Sequence, residues 1–588
     1  MTIYILGISC YYHDSSAALL KDGAVVAAAQ EERFTRKKHD TSFPINAVNY
    51  CLRSHNITIK DIGYIGFYEK PLLKFERVLH QHLESFPKSF KTFLGSMPSW
   101  LNEKLRVMRK VRKALKYRGD VFFIEHHLAH AASSFLVSPF EEAAIVTADG
   151  VGEWTTTAYG KGRSNEIELY REIRFPHSIG LLYSAITAYL GFSVNNSEYK
   201  VMGLSAYGNM DKKTNEYYEK LRNVIDIKDD GSFRLDMGYF RYHYADRMPS
   251  KRLCALLGGK IRKPESEVSK RHKDIAAAVQ LITEEAMTKI LSHAHRETGC
   301  DNLVLAGGVA LNSVYNGKIL RSTKFKRVWI QPDAGDGGTS IGAACYAYNS
   351  ILGKKRNFIF DNAYLGPEYS EKELRKFLEK NSIKYSEFRS DKELVKETAK
   401  LIHENHVVGW FQLGMEWGPR ALGARSILSN ACNPKMQEIL NLKVKHREKF
   451  RPFAPAVCED DALKYFDCDI PIPEPTSYML MVYPIKREFH KKIPAVTHID
   501  GSGRLQTVKR SQNPGYYDLI KEFGKLSGIP IIVNTSFNIR GEPIVCTPHD
   551  AYKCMMGTGI DCLVMGRFLI RREDNMRDAW DSEKNAKD

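Results

Sequence analysis

Glu125-His126-His127-Leu128-Ala129-His130 sets two histidines four residues apart. On a helix that spacing puts both imidazoles on one face, one turn apart. Two imidazoles so placed can grip one divalent cation. Just downstream, residues 143–148 read as a buried strand ending in Asp149-Gly150-Val151-Gly152, a carboxylate at the mouth of a glycine turn. Two histidines and a carboxylate form a metal-ligand set with positions left open for a substrate. A histidine cluster that merely fills a surface or a core is the competing reading, and the histidines alone do not choose between the two.

Other strand ends carry similar chemistry. Gly7-Ile8-Ser9-Cys10-Tyr11-Tyr12-His13-Asp14-Ser15-Ser16 follows the first strand, with His13 its only titratable nitrogen and a candidate general base. Its small and hydroxyl residues suit contact with a phosphate or acyl phosphate. Ala306-Gly307-Gly308-Val309-Ala310-Leu311-Asn312 lets backbone approach a ligand closely. Gly335-Asp336-Gly337-Gly338-Thr339-Ser340 adds a second carboxylate ahead of a helix of small residues. The second part of the chain holds cations instead. Glu416-Trp417-Gly418-Pro419-Arg420-Ala421-Leu422-Gly423-Ala424-Arg425 places two arginines around a glycine turn. Lys445-His446-Arg447-Glu448-Lys449-Phe450-Arg451 and Asn534-Thr535-Ser536-Phe537-Asn538 follow. Fixed cations with hydroxyl and amide groups suit a triphosphate and the charge displaced when it reacts.

The elements that must position these residues alternate between strands and helices. Strands are expected at residues 1–9, around 13–20, 23–30, 121–124, 143–148, 155–160, 302–305 and 327–331. A long helix is expected over 273–297. In such α/β layers ligands sit at the carboxyl ends of strands. Gly353-Lys354-Lys355-Arg356-Asn357 is a polar break, so the domains expected are 1–355 and 356–588. Beyond it, helices are expected at 371–381 and 391–404, and strands at 407–411, 529–533 and 563–565. The tail from 571 is polar, and no internal repeat is visible.

A chain of 588 residues can bury several cores, and 43% hydrophobic with 26% charged residues is ordinary for a globular protein. No apolar run approaches the roughly 20 residues that span a bilayer. The start has no signal-peptide pattern and the eleven cysteines show no CxxC pair, which points to a reducing cytoplasm. The net charge of +17 draws on a basic run from Lys104 to Arg118, read as a solvated helix face rather than a nucleic-acid or membrane site. It also suits small anionic substrates.

Taken in order, these motifs resemble the O-carbamoyltransferases, the family of nodulation-factor, cephamycin, novobiocin and tobramycin carbamoylation enzymes. The resemblance runs through His13-Asp14-Ser15-Ser16-Ala17-Ala18, Gln30-Glu31-Glu32-Arg33, His126 to Ala131, Asp149 to Trp154 and Glu198-Tyr199-Lys200-Val201-Met202-Gly203-Leu204. It continues in the glycine turn at 306–312 and in the segments around Arg420, Arg451 and Asn534. It covers nearly the whole chain. One departure is Leu413-Gly414, where the family usually has Gly followed by Arg or Lys.

The resemblance implies a duplicated actin-like ATPase (ASKHA) domain followed by a YrdC-like α/β domain. The first would hold a divalent metal, Fe2+ by family precedent, on His126, His130, Asp149 and Asp336. It would hold carbamoyl adenylate through Asp14, Gly150, Gly152, Lys200, Gly307, Gly308 and Asn312. The second would make that adenylate from carbamoyl phosphate and ATP with Mg2+. There Arg420, Lys445, Arg447, Arg451, Arg504, Ser536 and Asn538 would bind the phosphates. His13 would take the proton of a small-molecule hydroxyl acceptor. Neither a membrane nor a nucleic acid is an expected partner, and a homodimer is left open. The alternatives are a tRNA threonylcarbamoyl-transfer enzyme, built from the same two modules, and a non-catalytic actin-like nucleotide-binding protein. The acceptor is not legible; the stretch from Asp226 to Glu267 is a candidate contributor to its pocket.

Overall fold

The computed structural model describes residues 2–245, 247–448 and 451–582. Lys449 and Phe450 of the basic motif, and the tail from 583, lie outside the described residues. The chain divides into two compact units. One comprises Met1–Glu31 and Thr41–Phe360; the other comprises Glu32–Asp40 and Asp361–Asp588. Both are mixed α/β.

The first unit uses one strand plan twice. Strand β1 (Tyr4–Ser9) pairs antiparallel with β2 (Ser16–Lys21), which pairs antiparallel with β3 (Ala24–Gln30). On its other side β1 runs parallel to β4 (Ile62–Phe67), and β4 to β5 (Asp120–Phe123). The second sheet repeats this. Strand β6 (Glu142–Ala148) is followed antiparallel by β7 (Thr155–Arg163) and β8 (Glu166–Arg174). A small hairpin, β9 (Ile225–Ile227) and β10 (Phe233–Leu235), intervenes. Then β11 (Asn302–Ala306) and β12 (Arg327–Trp329) run parallel to β6. The orders are therefore β3-β2-β1-β4-β5 and β8-β7-β6-β11-β12. The duplication is topological and leaves no trace as a sequence repeat. Central strands such as β1 and β6 are buried on both faces, which accounts for their nearly continuous apolar runs.

Two helices pack against each other beside these sheets. The histidine helix, His126–Phe135, is buried along most of its length, and Thr339–Tyr346 consists mainly of small residues. They approach so closely at Gly342 that an added Cβ would lie 1.9 Å from the Ala129 carbonyl oxygen. Gly342→Ala is therefore expected to destabilise the unit by about 1–3 kcal/mol, the usual cost of overpacking a core, read as a lower urea midpoint. The basic run forms a short helix, Val107–Leu115, with Val107, Val111 and Leu115 buried and its Arg and Lys residues largely on the outer face.

The second unit is built on a nine-stranded mixed sheet. Its strands are β13 (Ser386–Glu387), β14 (Val408–Phe411), β15 (Arg425–Asn430), β16 (Ala454–Cys458), β17 (Met481–Pro484), β18 (Ser502–Val508), β19 (Ile531–Ser536), β20 (Cys562–Met565) and β21 (Phe568–Arg571). Their order is β13-β21-β20-β14-β15-β19-β16-β18-β17. The excursion Glu32–Asp40 packs in this unit. Arg33 donates to the Gly418 carbonyl, and Arg36 donates to the carbonyls of Pro543 and Ile544. Among the described residues no helix is long and apolar enough to cross a membrane.

Candidate metal centre and anion site

The histidine helix begins where β5 ends, and Glu153 holds its first turn. Both Glu153 carboxylate oxygens accept from the His126 N–H, and one also accepts from the Lys70 N–H. A carboxylate at a helix N-terminus is the favourable arrangement. One turn further along, the Nε2 atoms of His126 and His130 lie 3.1 Å apart. Strand β6 delivers Asp149, whose Oδ2 lies 3.3 Å from His126 Nε2. The turn after β12 delivers Asp336, whose Oδ1 lies 3.6 Å from His126 Nε2 and 3.4 Å from His130 Nε2. One ligand atom from each of the four residues falls within 4.8 Å of every other, and all four side chains are buried.

These spacings fit a shared cation. Metal–ligand bonds of about 2.1 Å place neighbouring ligand atoms about 3.0–3.4 Å apart. Hydrogen bonding alone does not account for the arrangement. Two imidazole nitrogens facing each other can share at most one proton, and neither oxygen of Asp336 has a hydrogen-bond partner among the described residues. Each carboxylate is also held ionised. Burial opposes the Asp149 charge, but the bond from His126, the two imidazoles and the Gly308 N–H outweigh it and hold its pKa well below the usual range. Burial, and after it the charge of Asp149, likewise opposes the Asp336 charge, and His13, His126 and His130 together outweigh them and lower its pKa. The set is two neutral-capable nitrogens with two anionic oxygens, a composition suited to a divalent first-row metal.

The flanking residues support this centre. Gly308 N–H donates to Asp149 Oδ1 at 2.8 Å. A Cβ at Gly152 would meet the His126 ring at 2.9 Å, so only glycine leaves that imidazole its place. Gly150 and Gly307 lie in the same two turns. Asn312 caps the short helix Ser313–Asn316 and exchanges amide hydrogen bonds with Gln280. Lys200 is buried, with its ammonium 5.5 Å from the Phe192 ring centre. His127 stands outside the ligand set. Its Nδ1 lies 2.8 Å from Thr147 Oγ1, and burial, then His126 and His130, push its pKa down to about 3, so it is neutral.

His13 faces the centre from the loop after β1. Its Nδ1 is 3.0 Å from Asp14 Oδ2 and its Nε2 is 3.7 Å from Asp336 Oδ2. Burial works against the imidazolium, but Asp336, Asp14 and Asp149 outweigh it and raise the pKa to about 10. Asp14 thus orients His13.

In the second unit Lys445, Ser536 and Asn538 converge. The Lys445 ammonium donates to the Ser536 carbonyl, to the Asn538 carbonyl at 3.0 Å and to Asn538 Oδ1 at 2.8 Å. All three acceptors are neutral. Burial, then Arg447, Arg451 and Lys38, hold the Lys445 pKa well below the usual lysine range. Arg447 and Arg451 are tied to one residue: Arg447 Nε donates to Asn441 Oδ1 at 2.7 Å, and Asn441 Nδ2 donates to the Arg451 carbonyl at 3.0 Å. The result is a desolvated concentration of positive charge, the electrostatic signature of an anion site. Asn441 and Lys38 are its members that sequence reading missed. Nothing local marks Asn441, and only the packing of Glu32–Asp40 brings Lys38 here.

The remaining arginines differ. Arg504 lies on β18, where its charge adds to burial in lowering His498 to about 4. Arg420 sits in the turn gathered by Glu416, whose Oε1 accepts from the N–H groups of Leu422, Ala424 and Arg425. Arg425, expected beside that glycine turn as a second binding cation, is instead the first residue of β15. It is fully buried, stacked 3.7 Å from the Phe411 ring centre and donating to the carbonyls of Gln412 and Pro367. Its guanidinium holds the fold together. Leu413, at the departure from the family pattern, adopts a left-handed backbone (φ 50°).

Comparison with known proteins identifies the family. Residues 4–345 match the model for the carbamoyltransferase N-terminus, and residues 399–572 that for the carbamoyltransferase C-terminus. An uncharacterized protein of Synechocystis sp. is 46% identical over 97% of both chains. Nodulation protein NolNO of Sinorhizobium fredii is 33% identical over 97% of this chain and 80% of its own. Among solved structures, component A of the Acidaminococcus fermentans (R)-2-hydroxyglutaryl-CoA dehydratase is similar over 60% of this chain and 99% of its own, at 15% identity and a TM-score of 0.34. With family models matching both parts of the chain in order, this protein belongs to the carbamoyltransferase family.

Proposed function

We propose that this chain is an ATP-dependent O-carbamoyltransferase that acts in two steps, one in each unit. The observation behind this reading is a division of labour. One unit carries a buried cluster of two histidines and two aspartates with an imidazole beside it; the other gathers Lys445, Arg447 and Arg451 around a desolvated ammonium. We read the first unit as the duplicated actin-like domain, supported by the strand order used twice. We read the second as YrdC-like, supported by the convergence of Lys445, Ser536 and Asn538.

In the second unit the carbonyl–O–P link of carbamoyl phosphate is hydrolysed to carbamate and phosphate. A carbamate oxygen then attacks the α-phosphorus of ATP. The α–β bridge breaks and pyrophosphate leaves with Mg2+. Lys445, Arg447 and Arg451, with Arg420 and Arg504, balance the displaced charge. Ser536 and Asn538 fix the Lys445 ammonium.

In the first unit an acceptor hydroxyl oxygen attacks the carbamoyl carbon of the adenylate and AMP leaves. A divalent metal on His126, His130, Asp149 and Asp336, Fe2+ by family resemblance, supplies Lewis-acid stabilisation of charge at the carbonyl. The turns holding Gly150, Gly152, Gly307 and Gly308 bring backbone to the adenylate, with Lys200 and Asn312 behind them. His13 accepts the hydroxyl proton, oriented by Asp14. At a pKa of about 10 it is protonated at neutral pH and cannot do so. Its use as a base therefore requires that the charge of Asp336 be offset.

Incubation with ATP and carbamoyl phosphate tests the reading: carbamoyl adenylate and pyrophosphate are expected, and the formation of neither overturns it. His13→Ala is expected to leave pyrophosphate release intact. Transfer to a hydroxyl acceptor found by screening sugars and antibiotics should fall about 10²–10⁴-fold, the usual loss with a general base.

A further inference from the structure

The helix Pro71–Glu84, which follows β4, half-buries Phe75, Val78 and Leu79 and turns two cations further inward than any of them. Leu72 and Leu83 are each 74% exposed, while Lys74 and Arg77 are 7% and 6% exposed. The residues it buries are Lys74, Arg77 and His82, with no aliphatic side chain among them. Burying charge while exposing leucine costs stability twice, so the inward cations call for a ligand or a partner.

The available carboxylates do not satisfy both cations. Lys74 is paired with Glu69. Glu153, the other acidic group acting on Arg77, already accepts from the backbone of His126 and Lys70. Arg77 lies against the Phe175 ring at 4.9 Å, and its Nε has no hydrogen-bond partner among the described residues. Burial draws its pKa down to about 10, and burial, then Lys74, lowers that of Lys104.

Their position relates these cations to the reacting centre. The Lys74 ammonium lies 5.0 Å from the Tyr12 ring centre, and the Tyr12 ring lies 4.5 Å from that of His13. His13 in turn faces Asp336. One aromatic ring thus separates the cations from the imidazole that faces the metal site.

We propose that Arg77 and Lys74, with Lys104, form an anion subsite that holds a carboxylate, sulfate or phosphate group of the hydroxyl acceptor, so that the preferred acceptors are anionic. This rests on the reading of the first unit as the transfer site. Arg77 supplies the planar fork that such oxyanions match, and Lys74 adds a point charge. Placed beyond Tyr12, they would hold the acceptor by its anionic group while its hydroxyl reaches His13.

Calorimetric titration of the full-length protein with inorganic sulfate tests the subsite. Wild type is expected to show two sulfate sites. Arg77→Gln should lose one of them, and Lys445→Ala the other. An isotherm unchanged in Arg77→Gln overturns the inference. Should that variant fail to fold, Arg77→Lys serves: its sulfate binding should weaken about tenfold with loss of the fork, and unaltered binding again overturns it. Acceptor pairs differing only in a phosphate or carboxylate give the second readout. The anionic member is expected to have at least a tenfold higher kcat/KM. In Arg77→Gln that advantage should vanish through KM, with kcat kept. Equal losses for both members would overturn it, as would a loss of AMP affinity, which would assign the subsite to the nucleotide. Pyrophosphate release on the same preparations separates the failures. Its absence in wild type defeats the two-step reading, whereas intact sulfate binding in Arg77→Gln defeats this inference alone.

Discussion

Replacing Lys445 by Ala is expected to slow carbamoyl adenylate formation about 10²–10³-fold, the loss typical when one preorganised charge-stabilising donor is removed. Pyrophosphate release in the presence of ATP and carbamoyl phosphate checks it. Lys445→Arg should not rescue, because the ammonium sits among the closely spaced acceptors of Ser536 and Asn538 and a planar fork does not fit them. A pH signature accompanies the effect. In the free protein burial and the neighbouring cations depress the Lys445 pKa. A bound phosphate reverses that pull, so binding takes up a proton. Affinity is then full below the depressed value. It falls by up to about tenfold per pH unit as pH rises toward the pKa of the complex. Binding heats in buffers of different ionisation enthalpy should show the uptake in wild type and its loss in Lys445→Ala. A binding constant independent of pH would exclude Lys445 as the coupled group.

His130→Ala is expected to act on the other step. Metal content, measured on the purified protein, should drop from about one per chain to a small fraction. Carbamoyl transfer should fall on the order of 10³-fold, in keeping with the several kcal/mol a Lewis acid contributes. Pyrophosphate release should stay intact. His127→Gln is the informative companion. His127 is adjacent in sequence, equally buried and neutral, yet it faces Thr147, so its replacement should leave the metal bound. Equal loss of both steps in His130→Ala would contradict the assignment of one step to each unit.

Both predictions rest on groupings that differ in how far the sequence discloses them. His126 and His130 are neighbours because a helix repeats every 3.6 residues, so their spacing alone put them on one face. The main strands and the long helix Lys270–Thr298 follow from local periodicity in the same way. Asp149 and Asp336 are separated by almost two hundred residues, and resemblance to a family had to nominate the second. The structure shows why they meet. Asp149 directly follows β6 and Asp336 lies in the turn after β12, at one end of a sheet whose strand order no local pattern announces. The repeated strand plan was invisible because topology constrains which positions are buried and leaves open which apolar residue fills each.

Some local signals pointed the wrong way. Arg425 looked like a binding cation, since composition does not show that main-chain carbonyls already accept from both terminal nitrogens of its guanidinium. The excursion Glu32–Asp40 follows directly on a strand of the first unit, and its hydrogen bonds to the carbonyls of Gly418, Pro543 and Ile544 place it in the second. Hydropathy would bury Leu72 and Leu83 and expose Lys74 and Arg77; the structure does the reverse. By itself, then, the sequence determined some of the elements, though not β4, β8 or β15–β18, together with which side chains share a helix face and which family the ordered motifs resemble, because these depend on short-range spacing. Only the tertiary structure decided which distant charges lie within a few ångströms of one another and which of them are already neutralised. Those distances are set by how sheets and helices pack, and burial then determines what each charge costs and what it can bind.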